Sequence, residues 1–420
     1  MSILASSLPL PNGASLPNRL AKAAMSECLA DPDTGAPTDE LIRLYDRWGQ
    51  SGAGLLITGH VIVDPNGRAE PANVVVTDDR HLPALRAWAR AAQRGGAKLW
   101  MQLNHAGRQA PRRMTKHPIA PSAVPMKGFA GAFAVPRALT EAEIVELIEK
   151  FATAARVAKE AGFAGVQLHG AHGYLISQFL SARTNRRDDA WGGDAARRSR
   201  FLLEVVRAVR AAVGPGFPIG VKLNSADFLR GGFTIEESMN VARSLEAAGI
   251  DLLEVSGGNY ESPAMAGSGE LPALQRDSSR DREAYFLQYA EQIRTVTSLP
   301  ILLTGGMRSR ATMEAALQSG AVDLIGLARP MTHAPELPRQ LLDGTLDTAP
   351  VVKVRNRIRI LDDALQVMWF QAQIHEMGHG RDPDLSLGTW TAIWRGLRAM
   401  LWPKRAEASR AVHEPIGVAA

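Results

Sequence analysis

Eight short apolar runs, each followed by a longer stretch of helical period, constrain this chain more than any other feature. The runs cover residues 19–25, 54–61, 97–103, 165–170, 218–224, 251–256, 300–304 and 322–328. A strand buried on both faces reads as a continuous apolar run, and parallel strands need a crossover helix between them. The intervening segments supply such helices: 141–161 and 195–213 space their apolar residues three and four apart, with Arg or Glu on the opposite face. Eight units predict a closed (β/α)8 TIM barrel over residues 1–345. Beyond 346 the alternation stops, and a helical C-terminal extension rich in Trp and Arg is expected over 346–420. An open doubly wound sheet would show the same alternation, but its G-x-G-x-x-G turn after the first strand is absent.

The 420 residues suit one barrel with additions, and 45% hydrophobic with 22% charged residues predicts a full core. A net charge of +5 is too small to indicate nucleic acid. The single cysteine, Cys28, excludes an internal disulfide and a thiolate-ligated iron–sulfur cluster, which needs about four Cys. It fits a reducing, cytoplasmic setting. The sequence shows neither an export signal at residues 1–10 nor a run of about 18 apolar residues.

Polar residues collect where the strands are expected to end, the rim that carries chemistry in β/α barrels. The loops 64–77 and 104–137, rich in Pro and Gly, would form part of that rim. Gly305-Gly306 after the seventh strand and Ala328-Arg329 after the eighth match the place where barrels bind phosphate. Small residues let backbone N–H groups approach phosphate oxygens, and an arginine adds a charge-assisted contact. His169 and His172 could donate two hydrogen bonds to one carbonyl or phenolate oxygen. They could instead be satisfied by backbone, or join a third ligand at a metal. Tyr174 is a candidate proton donor. Gln102 can pair with a ring amide, and Lys222 can offset negative charge on a reduced ring.

The block His169-Gly170-Ala171-His172-Gly173-Tyr174-Leu175, continuing through Gln178-Phe179-Leu180-Ser181 and Asn185-Arg186-Arg187 to Trp191-Gly192-Gly193, resembles the signature of the Old Yellow Enzyme family of NAD(P)H:flavin oxidoreductases. Asn18-Arg19, Ala24-Met25, Gly35-Ala36-Pro37-Thr38, Gly52-Ala53-Gly54 and Gly67-Arg68 are similar to its N-terminal quarter, and the likeness runs over about the first 340 residues. The resemblance implies non-covalent FMN, with NAD(P)H as reductant. It implies that Ala24, Met25, Ser26, the backbone near Gly59 and His60, Gln102 and Lys222 hold the flavin ring, and that Gly305, Gly306, Ala328 and Arg329 hold its phosphate. His169 and His172 would bind the carbonyl oxygen of an enone or enal, and Tyr174 would protonate its α-carbon after hydride reaches the β-carbon. A flavin-linked dehydrogenase or demethylase of the same family is the other activity implied.

Four positions depart from the family pattern. Ala24 stands where many members have Pro, and Ser26 where they have a Thr or Cys that donates to the flavin. Lys222 stands where many have Arg, which keeps the charge and loses the fork. Cys28 lies where some place a tyrosine lining the substrate pocket. Flavin potential and substrate range are where these changes would act.

Two tail features compete for attention. His375-Glu376-Met377-Gly378-His379 fits the zinc-hydrolase pattern H-E-x-x-H, but Gly378 and Gly380 weaken the helix and no third ligand stands out. No metal is expected. Trp390, Ile393, Trp394, Leu397, Leu401 and Trp402 form a helical stripe flanked by Arg395, Arg398, Lys404 and Arg405. Such a stripe can lie on a membrane surface. Packing on the barrel or on a second copy, giving a homo-oligomer, is the expectation here.

Overall fold

Each of the eight apolar runs forms a strand of one parallel sheet: β1 (Leu20–Lys22), β2 (Leu55–Ile62), β3 (Lys98–Asn104), β4 (Gly165–Gly170), β5 (Ile219–Asn224), β6 (Leu252–Ser256), β7 (Ile301–Thr304) and β8 (Leu324–Leu327). The sheet closes on itself, with β8 pairing β1 at Ile325 opposite Leu20 and β1 pairing β2 at Ala21 opposite Leu55. The computed structural model describes residues 2–127, 131–258, 261, 287–352, 362–392 and 394–395.

The helices are α1 (Asp39–Gly49), α2 (Leu82–Gln93), α3 (Glu141–Glu160), α4 (Leu175–Leu180), α5 (Ala195–Val213), α6 (Ile235–Ala247), α7 (Leu287–Arg294), α8 (Arg310–Gln318), α9 (Leu337–Asp343) and α10 (Asp362–Gly378). Their starts are written locally. Thr140 and Thr234 each accept from the backbone N–H three residues on, while Glu143 and Glu237 reach back to the cap, closing a capping box on α3 and α6. Asp194 caps α5 by accepting from Arg197 N–H. Each such cap is worth about 1 kcal/mol.

Because side chains alternate across a strand, position along a barrel strand translates into height inside the barrel. The lowest interior layer is apolar: Ala21, Leu55, Ile57, Trp100, Leu252, Leu302 and Leu324. Trp100 fills its centre because Gly165 and Gly220 face it; a Cβ on either would lie within 2.8 Å of the indole. A small antiparallel hairpin, Leu8–Pro9 with Ser15–Leu16, plugs the floor and adds Leu8, Leu10 and Leu16 to this layer. Two residues further along β3, β4, β5 and β6 the interior turns polar, with Gln102, Gln167, Lys222 and Glu254 all buried.

β1 is shorter than the predicted run. After Lys22 the chain leaves the sheet, and residues up to Cys28 pass across the top of β2. Their approach requires Gly59, since a Cβ there would lie 2.2 Å from a Glu27 oxygen and 2.3 Å from the Met25 carbonyl. Glu27 accepts from Gly59 N–H at 2.8 Å and from the Tyr45 hydroxyl. Behind it, the buried Lys22 ammonium lies 4.0 Å from Glu27 and 4.3 Å from the centre of the Trp48 ring; burial lowers its pKa to about 8.

The extension is docked on the barrel. Helix α10 lies against α1, where Arg43 donates to the Gly378 carbonyl at 2.6 Å, and its His375 Nε2 lies 3.0 Å from the Glu27 carbonyl. His379 turns instead to Glu40, at 3.3 Å, and Glu376 pairs with Arg381 and Arg395. The two imidazoles of the H-E-x-x-H pattern therefore serve different partners. Among the described residues no group of three His, Cys, Asp or Glu could hold a metal ion, and no helix is long and apolar enough to cross a membrane. Of the Trp stripe, Trp390 and Trp394 are exposed rather than packed on the barrel, whereas Ile393, Leu397, Leu401, Trp402, Arg398, Lys404 and Arg405 lie outside the described residues.

Candidate active site

Four aromatic side chains converge above the ends of β2 and β4. A register shift in β2 sets Ile57 opposite Trp100 but His60 opposite Gln102, so Thr58 and Gly59 share the space of one partner residue. Such a bulge re-aims the side chain that follows it. His60 is thereby brought to His169, with ring centres 5.4 Å apart, and to Tyr174, at 4.9 Å. His169 in turn lies 5.1 Å from His172 and 4.8 Å from Tyr174. The turn that carries the last two holds His172 at a φ of +61° and Gly173 at +78°. A left-handed histidine is uncommon and costs on the order of 1 kcal/mol, and it persists because its surroundings fix it. His172 N–H donates to Asn224 Oδ1 at 3.1 Å, and Gln109 donates to the His172 carbonyl at 3.1 Å.

Hydrogen bonds decide which nitrogen of each ring carries the proton. His169 Nδ1 accepts from Ala171 N–H at 3.3 Å, which leaves Nε2–H as its donor. His172 Nε2 lies 2.7 Å from the Ser256 hydroxyl; with Ser256 donating, the ring proton sits on Nδ1. Burial pushes both imidazoles well below the ordinary histidine pKa, with smaller contributions from His60 and Lys222. Both rings are neutral at pH 7, so His169 has one N–H to offer a ligand, and His172 has one when Ser256 donates to it.

Below these rings a chain of polar contacts crosses the barrel interior. Gln102 donates to Gln167 at 2.7 Å, Gln167 donates to Glu254 at 2.7 Å, and Glu254 lies 3.0 Å from the Lys222 ammonium. Among the described residues Gln102 Oε1 is buried without a hydrogen-bond partner. The charge expected of Lys222 is present, but it is paired with a buried carboxylate that sequence reasoning missed. Ser26 differs from expectation. Its hydroxyl donates to Glu70 at 3.0 Å, so the proton meant for a flavin is already committed.

At the other end of the rim, a cavity of about 470 Å³ is lined by Gly305, Gly306, Ala328 and Arg329 together with Arg308. Gly305 and Gly306 have φ of +137° and +75°, conformations that suit glycine. Gly326 is also required, because a Cβ would lie 2.1 Å from Thr304 Oγ1. Arg308 was passed over in the sequence although it stands two residues after the glycine pair. Gln366 and Phe370 from α10 form part of the cavity wall, so the extension contributes to the cleft.

Cys28, at the end of the stretch that crosses β2, has a φ of +53°. Burial raises its thiol well above the ordinary range, reinforced by Glu70 and Glu27, and Gln371 of α10 hydrogen-bonds it. Its thiol is protonated and no nucleophile.

Residues 9–347 match the family described as the NADH:flavin oxidoreductase / NADH oxidase family. The chain belongs to this family. It is 40% identical over 358 residues to an NADH-dependent flavin oxidoreductase of Talaromyces variabilis, covering 81% of this chain and 86% of that one. It is 39% identical over 330 residues to the NADH oxidase of Thermoanaerobacter brockii, covering 78% of this chain; the match spans about half, 49%, of that longer relative. The structure of an Old Yellow Enzyme homologue from Zymomonas mobilis superposes with a TM-score of 0.70 at 27% identity, covering 86% of this chain and 98% of that one.

FMN, reduced by NAD(P)H, is accordingly the cofactor of this NADH:flavin oxidoreductase. The donor set fits it. The bare acceptor of Gln102 suits the imide N–H of a flavin ring, and a glycine-lined cavity carrying two arginines suits its phosphate.

Proposed function

We propose that this flavin oxidoreductase is an ene-reductase that reduces the C=C bond of small α,β-unsaturated carbonyl compounds. The observation that supports the reading best is the grouping of His169, His172 and Tyr174, two neutral N–H donors beside a phenol. His169 Nε2–H and His172 Nδ1–H hold the carbonyl oxygen and stabilise it as it gains charge. Tyr174 supplies the proton that the α-carbon takes up. Bound FMN supplies the hydride. In this reading Ala24, Met25, Ser26, Gly59, His60, Gln102 and Lys222 surround the flavin ring, with Ser26 contributing its backbone rather than its hydroxyl proton. Gly305, Gly306, Arg308, Ala328 and Arg329 take the phosphate, and Cys28 lines the substrate side.

The test is to reduce the purified yellow protein anaerobically with NADH or NADPH and then mix it with 2-cyclohexenone. Reoxidation of the flavin, with saturated ketone as product, is expected. Reoxidation by dioxygen but by no member of an enone and enal panel would overturn the reading and favour a dehydrogenase or oxidase task.

A further inference from the structure

The polar chain beneath the rings has a direction, and one residue sets it. A carboxylate accepts hydrogen bonds and donates none. Glu254 is wholly buried in β6, with the Lys222 ammonium 3.0 Å from its Oε1. Its Oε2 must therefore receive the NH2 end of Gln167, which it does at 2.7 Å. That turns the Gln167 carbonyl toward Gln102, and the Gln102 NH2 is drawn to it at 2.7 Å. The Gln102 carbonyl is left facing the other way, buried and without a partner among the described residues. An isolated carboxamide can present either end to a ligand. Here both amides are fixed by a charge two residues removed.

We propose that Glu254 is a positioning residue: acting through Gln167, it fixes the Gln102 carboxamide so that a carbonyl acceptor, rather than an NH2, faces the imide N–H of the flavin ring. The inference rests on the reading that places the flavin ring against Gln102. The device spans β6, β4 and β3, three strands whose side chains meet at one height in the barrel, and the ion pair with Lys222 on β5 anchors it. A buried acceptor left without a partner is unfavourable, and a ligand N–H that meets it recovers that cost on binding.

Full-length protein stripped of flavin is reconstituted with FMN and, separately, with N3-methyl-FMN, which lacks the imide N–H; binding is followed by quenching of flavin fluorescence. Wild type should prefer FMN by about 10-fold or more, the loss of one such hydrogen bond. Gln167→Met cuts the relay while leaving the Lys222–Glu254 pair intact, and the preference should shrink toward parity. Glu254→Gln should do the same by letting both amides turn over; should that variant fail to fold, Gln167→Met carries the test alone. A wild-type preference retained in full by Gln167→Met would overturn the relay and leave the flavin assignment standing. Equal binding of the two flavins by wild type would overturn the contact between Gln102 and the ring itself, and failure to bind FMN would overturn the placement of the cofactor.

Discussion

The hydroxyl oxygen of Tyr174 lies 3.2 Å from Nε2 of His60, and Nδ1 of the same ring lies 3.1 Å from the Asn104 amide nitrogen. With Asn104 donating to Nδ1, the His60 proton is on Nε2 and points at the phenol oxygen. The proton of Tyr174 is then directed to a partner other than His60, and the oxygen it leaves behind is met by a donor.

Tyr174→Phe should leave flavin reduction by NAD(P)H unchanged and slow reoxidation by an enone about 10²-fold or more. His60→Leu should slow the same half-reaction by a smaller factor, on the order of 10-fold, because it removes only the donor to the phenol oxygen. Rapid mixing separates the two half-reactions through flavin absorbance. A Tyr174→Phe protein that reoxidised at the wild-type rate would take the proton from another source.

His169→Ala should weaken the binding of a phenol and slow enone reduction together, the rate by about 10²-fold. Because burial holds His169 and His172 well below the ordinary histidine pKa, neither gains a proton above pH 6.5. Phenol affinity above that pH should follow the ionisation of the phenol alone. A separate step near the histidine range in a spectroscopic titration would contradict this.

Arg329→Ala and Arg308→Ala should each lower the flavin retained after desalting without unfolding the barrel, and the double variant should lose most of it. Flavin per chain and far-ultraviolet circular dichroism measure the two effects. Full retention in the double variant would remove the phosphate from this cavity.

His105 gives the fold a dependence on acid. It is buried, its Nδ1 accepts from Gly107 N–H at 3.0 Å, its Nε2 has no partner among the described residues, and burial lowers its pKa to about 4. Between that value and the unfolded value of about 6.5 the unfolded chain binds the extra proton. The stabilisation is complete above pH 6.5 and is lost as pH falls toward 4. From pH 6.5 to 5 this one group should cost about 2 kcal/mol. His105→Asn keeps an acceptor near the Nδ1 position and should flatten that part of the pH profile in urea unfolding; an unchanged slope would show that other groups carry it.

The eight strands were legible because a strand covered on both faces must be apolar throughout, and turn residues bracket each run. The end of β1 was not, since residues such as Ala23 and Ala24 look like more strand until Gly59 is seen to admit their loop. The histidine and tyrosine block was legible as a motif. His60 was expected only through its backbone, because its side chain is aimed by a bulge that no spacing announces. Glu254 is one carboxylate in an apolar run, and its meaning depends on Lys222 in the adjoining strand. Ser26 looked like a flavin donor because its partner, Glu70, is 44 residues away. The extension read as an appended tail because only the folded chain shows Phe370 lining the same cavity as Gly306.

The placement of Phe370 has a consequence for how the enzyme is made. Chains are synthesised from the N-terminus, and the parts proposed to grip the flavin ring, from Ala24 to Lys222, emerge first. The strand that seals the barrel, the loops lining the cavity proposed for the phosphate and the helix that walls it all emerge later, from Gly305 onward. If that cavity holds the phosphate, a nascent chain exposes a half-built cleft, and flavin is expected to load after residue 370 has left the ribosome.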